Sequence, residues 1–320
     1  MAKALIIAEH SQGELSSATA KTIAAAAELH PRCIDVAILA PAADALAQQA
    51  VKIAGVTHVI CLNHACHAQP IAQFQGRQIA ALARNRGYTH IFCAATAYGK
   101  DLLPVVAALL GVNQISEVTA IKARHTFTRL MYAGNVMITV QAPSDEPVVA
   151  TIRHIAWPSP ALSGQASDET ACDDQPAPSH TRVLKTERKD DTQRDLSTAR
   201  CVIAGGRGIG SADGFQQLQQ LAKTLGAAVG ASRAAVDAGY APNTAQIGQT
   251  GRAIAPDLYI AVAISGAIQH VCGIQDARTI VAINQDPHAP IFDIADIGLV
   301  GDWRQILPEL DKTLRRRLDA

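Results

Sequence analysis

Between Gly230 and Asp302 the chain concentrates small, hydroxyl, amide, arginine and histidine residues: GASRAAVDAG at 230–239, QIGQTG at 246–251, SGAIQH at 265–270, AINQDP at 282–287 and IGLVGD at 297–302. Small residues let a backbone approach a phosphate or a planar ring, and the polar side chains supply hydrogen bonds at fixed points, a composition suited to a redox cofactor. Ser232 and Arg233 follow the small apolar stretch Ala227 to Ala231, where a strand hands over to a helix. Open α/β sheets bind their ligands at such strand ends. Upstream, Gly205-Gly206-Arg207-Gly208-Ile209-Gly210 sits between a strand and a helix, the context in which loop N–H groups and a helix N-terminus cradle a phosphate. Its spacing is not GxGxxG, and a glycine turn without a ligand reads the same way. Arg207 adds a guanidinium able to grip a pyrophosphate bidentately.

Each of these residues also has a plainer reading. Arg233 can stack over a planar ring or form a helical ion pair with Asp237 four residues on. Gln249-Thr250-Gly251 offers amide and hydroxyl hydrogen bonds, and in isolation it is a turn. His270 closes Ser265-Gly-Ala-Ile-Gln-His270, and a lone histidine is commonly a packing residue. Thr96-Ala-Tyr-Gly-Lys100 is a strand-end loop whose lysine could hold a nucleotide phosphate, or a plain scaffold segment. Cys61, His64, Cys66 and His67 tempt a zinc reading, but their spacings are tighter than finger patterns and no second ligand pair follows. A strand end with polar loop residues is the better identity, and no metal is expected.

Alternating segments must position this chemistry. Apolar runs at 4–8, 34–39, 59–62 and 90–94 alternate with Ala-rich helical stretches at 16–29, 42–50, 70–86 and 101–110, the signature of βαβ units around a parallel sheet. Gly111 is a C′ glycine. Residues 115–121, 127–132, 136–141 and 148–152 are rich in β-branched side chains and are separated by turn signals, which predicts a β extension of that first sheet. From Trp157 to Leu196, proline, serine, glutamine and acidic residues dominate, an interdomain connection to which Val183-Leu184 could add a short strand. Alternation resumes with strands at 201–204, 258–264 and 279–283. A helix follows the glycine loop with Phe215, Leu218, Leu221, Ala222 and Leu225 along one face, and a last helix carries Trp303, Ile306, Leu307, Leu310 and Leu314. The predicted fold is α/β in two domains. An N-terminal parallel-sheet domain with a β extension covers 1–156. A linker (157–196) leads to a C-terminal doubly wound cofactor domain (197–320).

Lys+Arg and Asp+Glu number 28 each, so no general pull toward nucleic acid or anionic lipid is expected. No apolar run is long enough to span a bilayer, and the N-terminal stretch is too short for a signal peptide. The cysteines at 33, 61, 66, 93, 172, 201 and 272 are odd in number and scattered, which fits thiols in a reducing, cytoplasmic compartment.

Taken in order, the 230–239, 249–251, 265–270, 282–287 and 298–302 motifs resemble the FAD domain of the electron-transfer flavoprotein alpha subunit. Thr96–Lys100 and Tyr132-Ala-Gly-Asn135 resemble further segments of that family. The resemblance covers the whole chain, most weakly at 157–196, and implies that 1–156 serves as scaffold and subunit interface. It implies an FAD site of Arg207, Ser232, Arg233, Ile247, Gly248, Gln249, Thr250, Ser265, Gly266, Ala267, Ile268, Gln269, His270, Asn284, Asp302 and Trp303. Arg207 and Ser232 would lie on the phosphate side, Arg233 over the isoalloxazine and Thr250 near N5. Ser265 to Gln269 would wrap the pyrophosphate and ribityl chain. A cationic or donor His270 would face the O2 edge, with Asn284 and Asp302 at the adenosine. The chain departs from the family at Gly210, where relatives commonly carry lysine, and at Ala204, where many have serine or glycine. The implied function is electron carriage without a chemical substrate: a heterodimer with an AMP-binding beta subunit takes electrons from acyl-CoA or other flavin dehydrogenases and passes them to a quinone oxidoreductase. An electron-bifurcating version and a non-redox nucleotide-binding module stay open as alternatives.

Overall fold

A computed structural model of the chain describes residues 1–132, 134, 136–171, 181, 183–186, 195–196 and 199–318. The chain divides into two compact units, Met1–Glu187 and Arg188–Ala320.

In the first unit the predicted alternation becomes β1 (Lys3–Ile7), a small ribbon of β2 (His10–Ser11) with β3 (Glu14–Leu15), α1 (Ser17–Ala27), β4 (Cys33–Ala40), α2 (Asp44–Ala50), β5 (His58–Asn63), α3 (Ala72–Arg86), β6 (His90–Ala94) and α4 (Ala97–Leu110). β7 (Gln114–Ala123), β8 (Thr126–Met131), β9 (Val136–Gln141), β10 (Val148–Ile152) and β11 (Ser167–Ala171) follow. The sheet order is β11-β5-β4-β1-β6-β10-β7-β8-β9. Alternate residues of each central strand enter opposite layers, as period-two side chains must. Ala4, Ile6 and Ala8 pack with Ile23, Val36 and Phe92, while Leu5 and Ile7 pack with Ile60, Ile79 and Leu103.

Two segments differ from the sequence expectation. Only β7 to β9 form the antiparallel extension; Val148–Ile152 instead runs parallel to β6 and also parallel to β7, inside the sheet. All five of its residues are buried. A continuously apolar run is the mark of a strand covered on both faces. Within the stretch read as a connection, Ser167–Ala171 pairs parallel with β5 as an edge strand. Its SDETA sequence is almost wholly exposed, and polar side chains are common on an edge strand. Val183 and Leu184 lie in exposed coil, and much of the rest of that stretch falls outside the described residues.

The second unit comprises β12 (Cys201–Gly205), α5 (Ala212–Leu225), β13 (Ala228–Ala231), α6 (Arg233–Asp237), β14 (Leu258–Val262), α7 (Ile268–Val271), β15 (Ile280–Asn284), β16 (Ile297–Val300) and α8 (Trp303–Leu318). The strands are all parallel in the order β13-β12-β14-β15-β16. The predicted stripe of α5 buries Phe215, Leu218, Leu221 and Ala222 with Trp303 and Leu307 of α8. Ser211 caps α5 by accepting a hydrogen bond from the Gly214 N–H at 3.0 Å. Ser211→Ala should therefore cost about 1 kcal/mol, visible as a lower denaturation midpoint. β14 ends at Val262, short of the expected Ile264, because Ala263 turns the chain out with φ 52°. β16 reads in sequence as a glycine motif and is an exposed edge strand. Among the described residues no helix is long and apolar enough to cross a membrane, and the six described cysteines form no disulfide.

Candidate functional site

The second sheet reverses direction between β12 and β14: the first crossover leads from β12 to β13 on one side, and the chain then continues to β14 on the other. The loops leaving the carboxyl ends of β12 and β14 diverge there, which opens a crevice at a topological switch point. A cleft of about 560 Å³ lies at this place, within the size range of small-ligand sites.

Its floor depends on close backbone approach. A Cβ at Gly206 would lie 1.9 Å from the Ala263 carbonyl oxygen, so no side chain fits between the two strand ends. One wall is the loop at 246–252, held by Ile247 N–H to Ala231 O at 2.9 Å and Gln249 N–H to Gln269 O at 2.7 Å. Gly248 takes φ 134° there, and a Cβ would lie 2.5 Å from the Gln269 carbonyl oxygen. Ser232 caps α6 by accepting from Ala235 N–H at 3.3 Å, and this places Arg233 at the helix start on the cleft's rim.

The sequence-derived residues lining the cleft are Arg207, Ser232, Arg233, Ile247, Gly248, Gln249, Thr250, Ser265, Ala267, Gln269 and His270. Gly206, Gly208, Ala234, Asp237, Gln246, Ala263 and Ile264 line it as well. Gly206 and Gly208 belong to the glycine loop, Ala234 and Asp237 to the 230–239 motif and Gln246 to the 246–251 motif; Ala263 and Ile264, read in sequence as the end of an apolar strand, carry no motif. Gly266, Ile268, Asn284, Asp302 and Trp303 lie outside the lining. Asn284 donates to Ile264 O at 2.9 Å, tying β15 to the loop after β14, and Trp303 Nε1 donates to Gly208 O at 3.3 Å. Asp302 accepts from Arg304 N–H at 2.9 Å at the start of α8.

Arg233 makes the helical ion pair that the sequence allows, its Nε lying 3.5 Å from Asp237 Oδ2, and its guanidinium also reaches the Thr250 hydroxyl at 3.5 Å. Thr250 also accepts from Gln246 Nε2 at 2.8 Å. Arg207 and Arg233 are exposed, so the cleft's mouth is cationic. His270 differs from the cationic reading. The residue is 6% exposed, and burial lowers its pKa to about 4 against a small opposing effect of the Ile247 carbonyl. It is neutral at pH 7.

In the first unit, Thr96 caps α4 by accepting from Gly99 N–H at 3.3 Å. Lys100 is tied to Glu117 at 2.6 Å, so the loop's lysine already has a partner. His64 Nδ1 accepts from Cys66 N–H at 3.0 Å at the end of β5, and Cys61 is buried within that strand.

Fold and cleft together define a doubly wound α/β protein with a ligand crevice at its switch point. The family model described as "Electron transfer flavoprotein FAD-binding domain" matches residues 195–275, and "Electron transfer flavoprotein domain" matches 4–172. Similar curated proteins named electron transfer flavoprotein subunit alpha come from Paracoccus denitrificans (45% identical; 96% of this chain, 98% of the relative) and Pseudomonas aeruginosa (42%; 97% and 99%). The mitochondrial subunit of Dictyostelium discoideum is 42% identical over 98% of this chain and 91% of its own length. The chain belongs to the electron transfer flavoprotein alpha-subunit family.

Proposed function

We propose that this chain holds FAD in the switch-point cleft and works as the electron-carrying alpha subunit of a heterodimeric electron transfer flavoprotein. The observation that carries the reading is the cleft itself, where guanidinium, hydroxyl and amide groups converge on a crevice walled by close-packed backbone. The lining fits the group: glycine at 206 and 248 allows the close backbone approach that walls the cleft, where a Cβ would collide with the Ala263 and Gln269 carbonyl oxygens. Bound there, FAD supplies reversible one- and two-electron chemistry.

This chain's residues bind and tune. Arg207 and Ser232 are assigned to the phosphates, with Ser265 to Gln269 on the pyrophosphate and ribityl chain. Asn284 and Asp302, near the carboxyl ends of β15 and β16, are assigned to the adenosine. Arg233, Thr250, Gln249, Gly248 and Ile247 are assigned to the isoalloxazine. Of the groups in the lining that could take a proton, Asp237 faces Arg233 and His270 has both ring nitrogens engaged inside the protein. Carriage rather than catalysis on a substrate of its own suits that set. In this reading the donors are flavin dehydrogenases such as acyl-CoA dehydrogenases and the acceptor is a quinone oxidoreductase. The partner is a beta subunit that binds AMP, and the compartment is the cytoplasm, where unbridged thiols persist.

Co-expression with the beta subunit should yield a yellow complex containing FAD, bleached by a dehydrogenase plus its substrate. A colourless complex that takes up no flavin on reconstitution would overturn the proposal.

A further inference from the structure

His270 has both ring nitrogens engaged inside the protein. Nδ1 lies 3.1 Å from the carbonyl oxygen of Ile247, and Nε2 lies 2.7 Å from the hydroxyl of Tyr259. A carbonyl oxygen only accepts, so Nδ1 carries the hydrogen. In a neutral ring Nε2 is then an acceptor, and the Tyr259 hydroxyl donates to it. Were the ring cationic, Nε2–H would donate to the tyrosine oxygen. The phenolic hydrogen would be stranded, because Tyr259 is fully buried in β14 and has no other hydrogen-bond partner among the described residues. Buried donors left unpaired are strongly disfavoured.

We propose that Tyr259 is a positioning residue that holds His270 as the neutral, Nδ1-protonated imidazole, so that His270 brings the cleft neither charge nor a free ring N–H and the cationic character comes from Arg207 and Arg233. The inference deepens the FAD reading and rests on it only for its consequence at the flavin. It departs from what resemblance implies for His270, a cationic or donor group at the ring's O2 edge. Burial acts in the same direction as the Tyr259 hydrogen bond, lowering the ring's pKa to about 4, while the Ile247 carbonyl acts the other way and fixes the tautomer. The other charged or titratable groups of this cleft are Arg207 after β12 and Arg233 and Asp237 on α6, with Cys272 two residues along from His270.

The test uses the complex with its beta subunit, labelled with 15N-histidine. Long-range 1H–15N spectra should show His270 as the Nδ1–H tautomer, unchanged from pH 5.5 to 8. In Tyr259→Phe the protonation constant of His270 should rise roughly tenfold, since the neutral form loses its donor. Near pH 5 the flavin midpoint potential should then vary with pH more steeply than in the parent. A parent ring that is protonated at pH 7, or that carries its hydrogen on Nε2, overturns the proposal, as does a Tyr259→Phe variant with unchanged protonation. Should that variant fail to fold, the parent spectra alone decide. Should the complex hold no FAD, the cofactor reading falls while the tautomer is still read from the same spectra.

Discussion

Arg233→Ala should lower the first reduction potential of the bound flavin by about 60 mV. Reduction delivers negative charge to the N1–C2=O2 edge of the ring, and a nearby guanidinium stabilises the reduced form. Two unit charges 4 Å apart interact by ~4 kcal/mol at an effective dielectric of about 20. Arg233 cannot exert all of this, because its side chain is 65% exposed and its Nε sits 3.5 Å from the Asp237 carboxylate. Solvent and counter-charge screen such a group heavily. Retaining about 1.4 kcal/mol of the interaction corresponds to roughly 60 mV for a one-electron couple.

The ion pair gives the expectation an internal control. Asp237→Asn removes the neutralising partner and should raise the potential, while Arg233→Lys keeps the charge and should recover part of the loss. Redox titration of the three variants at low ionic strength checks the set. An unchanged potential in Arg233→Ala would place the arginine's charge elsewhere than on the ring, and equal shifts in Arg233→Ala and Arg233→Lys would make its role one of shape. Because the groups at the mouth are exposed, the effect should shrink as salt is added.

Most of this site was legible in the chain because its chemistry sits at strand ends, and strand ends announce themselves where apolar runs stop and small polar residues begin. Ser232-Arg233 after Ala231 and Arg207 after Gly206 were readable that way. The elements escaping detection did so for physical reasons. Val148–Ile152 carries the same β-branched composition whether it extends a sheet antiparallel or enters it parallel, since pairing direction is set by the connection and not by the side chains. Ser167–Ala171 is held as a strand by backbone ladder bonds to β5, and its polar side chains give no pattern to read. His270 shows a different limit. Its ring nitrogens meet Tyr259 and Ile247, which are 11 and 23 residues away in sequence, and no local motif encodes that meeting. Ala263 likewise adopts its left-handed φ through packing, at a residue type that gives no hint of it.

Gly206→Ala removes the cleft rather than tuning it. Gly206 has φ −88°, a conformation open to any residue, so the substitution carries no backbone penalty of its own. The cost is contact: the new Cβ would lie 1.9 Å from the Ala263 carbonyl oxygen and 2.6 Å from its carbon, both backbone atoms. Neither side can yield cheaply. Gly206 N–H is bonded to Val262 O at 2.9 Å, and β12 and β14 are paired residue for residue up to Gly205 and Val262. Inserting a methyl into tightly packed structure typically costs about 1–3 kcal/mol, and a clash between fixed main chains belongs at the upper end, about 3 kcal/mol. The strand ends must splay, which displaces Arg207 and the loop at 263–267 together, so the complex should lose FAD as well as stability. Gly210→Ala separates this from ordinary glycine strain. Gly210 has φ 87°, yet the nearest atom to its Cβ is Arg304 Nη2 at 3.8 Å, so it should cost about 1 kcal/mol and keep its flavin. Denaturation midpoints and flavin content of the two variants give the comparison. A Gly206→Ala complex with the parent's midpoint and full flavin would mean that the crossing of these two loops is slack, and that the crevice does not depend on it.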